Sequence, residues 1–209
     1  MKQEDRATRA ARETYNRISP LYDLMEGLVE RSRYSIWREI LWSKVEGTKI
    51  LEVGVGTGKN FPHYPADKEI IAIDFSGKML SRARKKARDF GTRVQLSQMD
   101  VQDLEFEDNT FDTVVGSFIF CSVPDPIKGL KEVGRVCKPG GKIVLLEHVL
   151  SANPVLAWLM KLVNPVIVKL MGPNINRKTV DNISKSGLNI EEVTDLTFGI
   201  FKLIEARKE

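Results

Sequence analysis

Cysteine and histidine are almost missing from this chain, and their scarcity excludes a good deal. Cys121 and Cys137 are the two cysteines among 209 residues, both in apolar surroundings, so free buried thiols are expected rather than a disulfide or a metal site. His63 and His148 lie far apart in sequence and complete no metal-ligand spacing, so no metal is expected. No Pro/Gly/Ser linker, internal repeat or low-complexity segment divides the chain, and its length suits one α/β domain with additions. The opening MKQEDRATRAARE is charged throughout and lacks the apolar segment of a secretory leader, which leads to the expectation of a cytoplasmic protein. One apolar run is long, from 154 to 171, yet Lys161, Asn164, Pro165 and Lys169 interrupt it and argue against a spanning helix.

The bulk composition is ordinary for a globule, with 42% hydrophobic and 29% charged residues. The net charge of +4 is unevenly spread. Residues 78 to 93 hold seven basic side chains against Asp89, and residues 161 to 185 hold five against Asp181. Such runs suit solvated helix faces or peripheral contact with an anionic surface.

One stretch organises the rest: residues 49 to 61 read KILEVGVGTGKNF. Ile50, Leu51 and Val53 suit a strand buried on both faces of a parallel sheet. Gly54, Gly56 and Gly58 then offer backbone that can lie against a ligand with no Cβ between them. A dinucleotide fingerprint needs G-x-G-x-x-G, whereas here the third glycine comes one residue early and Lys59 takes its place. Glu52, two residues before the first glycine, suits a ligand carrying positive charge and would repel a pyrophosphate.

Ahead of this strand, residues 3 to 18 read as an amphipathic helix, Ser19-Pro20 as the start of a second reaching about residue 30, and 34 to 45 as a third. After it, EIIAID at 69 to 74 forms a second buried strand ending in Asp74, where an acid accepts hydrogen bonds from both ribose hydroxyls in nucleoside-binding sheets. Ser76 caps a helix running to residue 90. A third strand, 93 to 99, leads into Asp100-Val101, where a carboxylate can accept from an adenine amine while a backbone N–H donates to a ring nitrogen. Residues 111 to 120 are a fourth strand that loosens at Gly116-Ser117, 125 to 137 a helix, and 142 to 149 a fifth strand after the turn Pro139-Gly140-Gly141. Residues 151 to 187 are too apolar for a solvent loop and suit core packing, a cap on the site's mouth or contact with a bilayer surface. An antiparallel pair, 188 to 196 and 198 to 207, closes the chain. The expected division is therefore 1–46 helical lid, 47–150 cofactor core, 151–187 apolar cap and 188–209 hairpin.

Taken in order, ExGxGxG at 52 to 58, the acid ending the second strand, Asp-Val after the third, Phe111-Asp112 opening the fourth, Pro-Gly-Gly before the fifth and the final hairpin resemble class I S-adenosylmethionine-dependent methyltransferases. The resemblance covers nearly the whole chain. It implies an α/β, Rossmann-like, seven-stranded and mostly parallel sheet in the order 3-2-1-4-5-7-6, helices on both faces, and S-adenosylmethionine as cofactor. YNRISPLYDLM at 15 to 25 is similar to the start of ubiquinone/menaquinone C-methyltransferases and bacterial phospholipid N-methyltransferases. Glu147-His148 and GPNINR at 172 to 177 resemble membrane-associated methyltransferase-like proteins proposed to act on thiols.

Carried over residue by residue, the resemblance implies that Tyr15 and Tyr22 fold over the cofactor and that Gly54, Gly56 and Gly58 pass close to its methionyl part. Glu52 would orient that turn, Asp74 hold the ribose, and Phe75 and Met79 pack near the adenosine. Asp100 and Val101 would take the adenine, with Gly116 and Ser117 at the amino-acid end. The Asn/Asp-Pro-Pro-aromatic sequence of nucleobase N-methyltransferases is missing from SFIFCSVPDP, so no nucleic acid partner is expected. Methyl transfer is an in-line displacement that needs alignment in a dry site and an acceptor relieved of its proton. His148, with Glu147 helping, is the expected proton acceptor. The expected methyl acceptor is a lipid-type amine such as phosphatidylethanolamine, with a small hydrophobic thiol or quinol ring carbon as the alternative and a non-catalytic cofactor-binding module as the third.

Overall fold

The computed structural model describes residues 6–29 and 33–209, the side chains of 21–29 excepted. Among these, β1 (Lys49–Val53), β2 (Glu69–Asp74), β3 (Gln95–Gln98), β4 (Phe111–Ser117), β5 (Cys137–His148), β6 (Asn189–Thr197) and β7 (Phe201–Arg207) form one sheet in the order β3-β2-β1-β4-β5-β7-β6. The first five pair in parallel, and β7 runs antiparallel between β5 and β6. This is the architecture implied by the sequence resemblance. The helices are α1 (Arg6–Val29), α2 (Ser35–Ser43), α3 (Gly77–Phe90), α4 (Pro126–Val136), α5 (Pro154–Met171) and α6 (Thr179–Ser186).

The apolar runs of β1 and β4 are buried on both faces, as their lack of alternation predicts. Leu51, Val53 and Val114 pack with Leu130 and Val133 of α4, while Ile50, Val115 and Val144 pack with Trp37, Leu41 and Trp42 of α2 on the opposite side. Strand β1 has β2 on one side and β4 on the other, so the chain leaves it in one direction and returns in the other. At such a switch point the carboxyl ends of the strands frame a crevice.

Several boundaries differ from the sequence expectation. The break expected at Ser19-Pro20 does not occur, and α1 runs unbroken from Arg6 to Val29. Proline at 20 cannot donate to the Asn16 carbonyl one turn back, and the Ser19 hydroxyl donates to it instead at 3.2 Å. Strand β5 begins at Cys137, because its register with β4 jumps from Phe111↔Cys137 to Thr113↔Lys142 and leaves Pro139-Gly140-Gly141 as a bulge inside the strand. Strand β4 ends at Ser117, three residues before the expected Phe120, since Phe118 adopts φ 55 and cannot continue an extended chain. The apolar segment is a helix, α5, with Met160 as its one buried residue, so core packing does not account for it.

Candidate cofactor site

The three glycines of the turn serve three different purposes. A Cβ at Gly54 would lie 2.7 Å from the Ile119 side chain, so this glycine lets the loop after β4 approach. At Gly58, φ is 80 and a Cβ would lie 2.3 Å from the ring of Phe61, so the position is closed by packing. At Gly56, φ is 56 and nothing lies within 4 Å of where a Cβ would be. Gly56 alone of the three presents bare backbone to open space.

That space is a cleft over the carboxyl ends of β1, β2, β3 and β4, where open α/β sheets place their small-molecule sites. Apolar side chains of Ile73, Phe75, Met79, Met99, Val101, Ile119 and Val123 form most of its wall, and Tyr15, Asp74, Asp100, Ser117 and Ser122 supply the polar groups. Asp74 is the fixed point. Its Oδ2 accepts from Gly56 N at 2.9 Å and its Oδ1 from Ser76 N at 2.8 Å, which locks the glycine turn to the start of α3. Burial raises its pKa to about 6, against the pull of those two backbone donors. A carboxylate has about four lone-pair sites, so acceptor capacity remains for a vicinal diol in the cleft.

Asp100, two residues past β3 and just before the turn at 101–102, accepts from Gln102 N at 2.9 Å and Gln102 Nε2 at 3.0 Å. The same amide donates to Thr8 Oγ1 of α1 at 3.0 Å, and its oxygen accepts from Asp125 N at the cap of α4 at 2.9 Å. Helix α1 closes over both walls. The Tyr15 hydroxyl is hydrogen-bonded to that of Ser122, and its ring meets Phe75 edge-on at 5.8 Å. Asn16 Oδ1 accepts from the Ser76 hydroxyl at 2.7 Å, so Ser76 ties α1 to α3 as well as capping α3 through Met79 N. The side chain of Tyr22, the second expected lid residue, lies outside the described residues.

A bare-backbone turn, a carboxylate with spare acceptor capacity at one strand tip, a second carboxylate at the next and an apolar slot between them fit a nucleoside with an aliphatic tail. Residues 51–145 match the methyltransferase domain family. A demethylmenaquinone methyltransferase from Staphylococcus saprophyticus is 33% identical over 170 residues, 77% of this chain and 71% of that protein. The chain belongs to the S-adenosylmethionine-dependent methyltransferases. A phosphatidylethanolamine N-methyltransferase from Cereibacter sphaeroides is 41% identical over 130 residues, 61% of this chain, and the match spans 63% of that relative's length. Solved structures agree in fold. A Thermotoga maritima S-adenosylmethionine-dependent methyltransferase superposes with a TM-score of 0.72 at 21% identity, covering 94% of this chain and 99% of that one. Geranyl diphosphate methyltransferase, solved with S-adenosylmethionine, gives 0.70 at 16% identity, covering 84% and 85%.

In this methyltransferase, Tyr15, Gly54, Gly56, Asp74, Phe75, Met79, Asp100, Val101 and Ser117 are brought together on the cleft wall, whereas among the described residues Glu52, Gly58, Gly116, Glu147 and His148 are not. Glu52 does not face a ligand. It is wholly buried behind the turn, where Oε1 accepts from Asn60 Nδ2 at 2.6 Å and Oε2 from the Tyr64 hydroxyl. Burial raises its pKa to about 7. Asn60 Nδ2 and Arg38 Nη1 also donate to Ser117 Oγ, at 3.0 and 2.9 Å, so a buried polar network joins α2, β1 and the end of β4 beneath the cleft. Gly116 lies against Ile119 and Leu145, at 3.0 Å from each for a Cβ placed there, and packs rather than lines.

The proton-accepting pair expected at the end of β5 is also placed differently. Glu147 is wholly enclosed, with Oε1 accepting from Ile119 N and Phe120 N at 3.0 Å each, and so holds the cleft loop from within. Burial pushes its pKa up to about 7. His148 packs its ring against Phe201 at 5.1 Å with Nδ1 buried and without a partner, and burial lowers its pKa. Neighbouring strand residues point to opposite faces, and neither of these lines the cleft. The residues missed by sequence reasoning, chiefly Asn16, Arg38, Gln102 and Ser122, carry no local signal, since each acts on a segment remote in sequence.

Proposed function

We propose that this enzyme methylates the amine head group of a phosphatidylethanolamine-like lipid. The observation that carries the proposal is the 41% identity to a relative bearing that activity in its name. When bound, S-adenosylmethionine supplies an electrophilic sulfonium methyl. The chain's own residues align and dehydrate: Asp74 and Asp100 hold polar edges, Gly56 permits close approach, and the Tyr15–Ser122 contact shuts the mouth beside the loop after β4. Neither His63 nor His148 lines the cleft; on this reading the amine enters neutral, and kcat/KM is expected to rise with pH toward the amine's own pKa.

A second reading, methylation of a quinol ring carbon, is favoured by the demethylmenaquinone relatives, which align over a larger share of the chain. Incubation with deuteromethyl cofactor and a panel containing phosphatidylethanolamine and demethylmenaquinol, read by mass spectrometry, decides between them. Labelled N-methyl lipid is the expected product. Label on the quinol alone overturns the amine proposal.

A further inference from the structure

We infer that α5 is a docking helix that lies along an anionic membrane surface and holds the cleft mouth against it. This deepens the lipid-acceptor reading and rests on it for its purpose. Helix α5 has 18 residues of mean hydropathy 1.5, of which 6% is buried. Trp158, Leu162, Val166 and Leu170 recur every fourth residue and are each 58–62% exposed, so they form one apolar stripe turned to the outside. A globular protein ordinarily covers such a stripe.

Charge selects the occupant. Lys161 and Lys169 are exposed on α5, which carries no acidic residue. Arg17 of α1 donates to the Lys169 carbonyl at 3.2 Å, and α1 packs in turn on α3. From residue 6 to 20, α1 holds four arginines against Glu13, and α3 carries the basic run that begins at Lys78. An apolar stripe bordered by cations complements an anionic leaflet, whereas a second copy of the chain would bring like charges together.

The surrounding contacts decide between lying on a bilayer and crossing it. Leu150 N donates to Arg177 O at 2.8 Å, so the segments entering and leaving the α5 region are tied to each other. A Cβ at Gly172, just past the helix, would lie 3.1 Å from the Tyr15 ring. Helix α5 therefore has both ends on the same globular body. Asn174 donates through its backbone to Cys121 O at 2.8 Å, and the next residue, Ser122, holds Tyr15. A docked α5 thus sets the cleft mouth at the lipid interface, where a head-group amine can reach it without leaving the leaflet.

The test uses full-length protein and vesicles of phosphatidylcholine with phosphatidylglycerol, which lack the proposed acceptor. Wild type is expected to co-sediment at low salt and to release as salt rises. Combining Trp158→Glu, Leu162→Glu and Val166→Glu is expected to weaken vesicle binding at least tenfold, with S-adenosylhomocysteine affinity by calorimetry unchanged as the control for folding. Lys161→Ala with Lys169→Ala is expected to flatten the salt dependence. Docking is overturned if wild type ignores the vesicles, if the triple variant binds them equally, or if light scattering shows a lipid-free dimer that the triple variant splits. Wild type that binds vesicles but leaves phosphatidylethanolamine unmethylated removes the acceptor reading and keeps the docking. Methylation in detergent micelles without vesicle binding removes docking alone.

Discussion

Replacing Asp74 with asparagine tests the centre of the site by changing one atom. In the native chain the two oxygens of Asp74 take Gly56 N at 2.9 Å and Ser76 N at 2.8 Å. Asparagine keeps one acceptor and turns an NH₂ group toward the other N–H, leaving a buried donor unpaired at about 1–3 kcal/mol. It also removes the charge from the hydrogen bonds accepted from a ribose, each worth about 1.5–3 kcal/mol, so the S-adenosylhomocysteine Kd is expected to rise about 10- to 100-fold. The pH dependence gives a sharper signature. Burial places the Asp74 pKa at about 6, and only the ionised form accepts with both oxygens. Native affinity is therefore expected to be flat above that pH and to fall below it by up to about tenfold per unit, while the affinity of the Asp74→Asn variant stays flat. Stability of the empty protein moves the opposite way. A folded pKa raised from 3.8 to about 6 means that this group's contribution is full below 3.8 and is lost as pH rises through 6. Calorimetric titrations with S-adenosylhomocysteine between about pH 5 and pH 8 measure the first trend. An Asp74→Asn Kd within about threefold of native, or the same pH slope in both proteins, refutes the assignment of Asp74 as the diol acceptor.

Gly56→Ala and Gly58→Ala are expected to separate binding from folding. The first, facing open space, melts within a few degrees of native but loses cofactor affinity at least tenfold, whereas the second collides with Phe61 and lowers the melting temperature severely. Glu147→Gln keeps an acceptor for Ile119 N and Phe120 N and abolishes a titration raised from 4.5 to about 7. Native stability relative to this variant is then full below pH 4.5 and falls by about 3 kcal/mol as pH rises through 7, measurable by urea denaturation at both ends of that window. Ser19→Ala leaves the Asn16 carbonyl without its donor and is expected to cost about 1 kcal/mol by the same assay, an effect that Pro20→Ala offsets by restoring the missing N–H. Tyr15→Phe retains the ring on Phe75 and loses the Ser122 bond, so cofactor release by stopped flow is expected to quicken with little change in melting temperature.

By itself the sequence determined whatever a few neighbouring residues can specify. The β-forming Ile50, Leu51 and Val53 around Glu52, and the unalternating apolar run at 70 to 73, marked strands with no wet face, and both are buried. The glycine turn and Asp74 were recognisable because a backbone brought close to a ligand and a carboxylate at a strand tip are requirements met within about twenty residues of chain. Tertiary structure decided the rest. Whether Glu147 serves the cleft or braces the loop above it depends on where Ile119 and Phe120 lie. Ser19 substitutes for an N–H that Pro20 lacks, so a local signal for a break yields an unbroken helix. Composition announced that 154 to 171 is apolar, but only the packing shows its stripe facing outward. Tyr15 and Ser122 meet across 107 residues of sequence, and Arg38 and Ser117 across 79. Periodicity reports on one turn or one strand at a time, whereas contacts of that span exist only once the layers have packed.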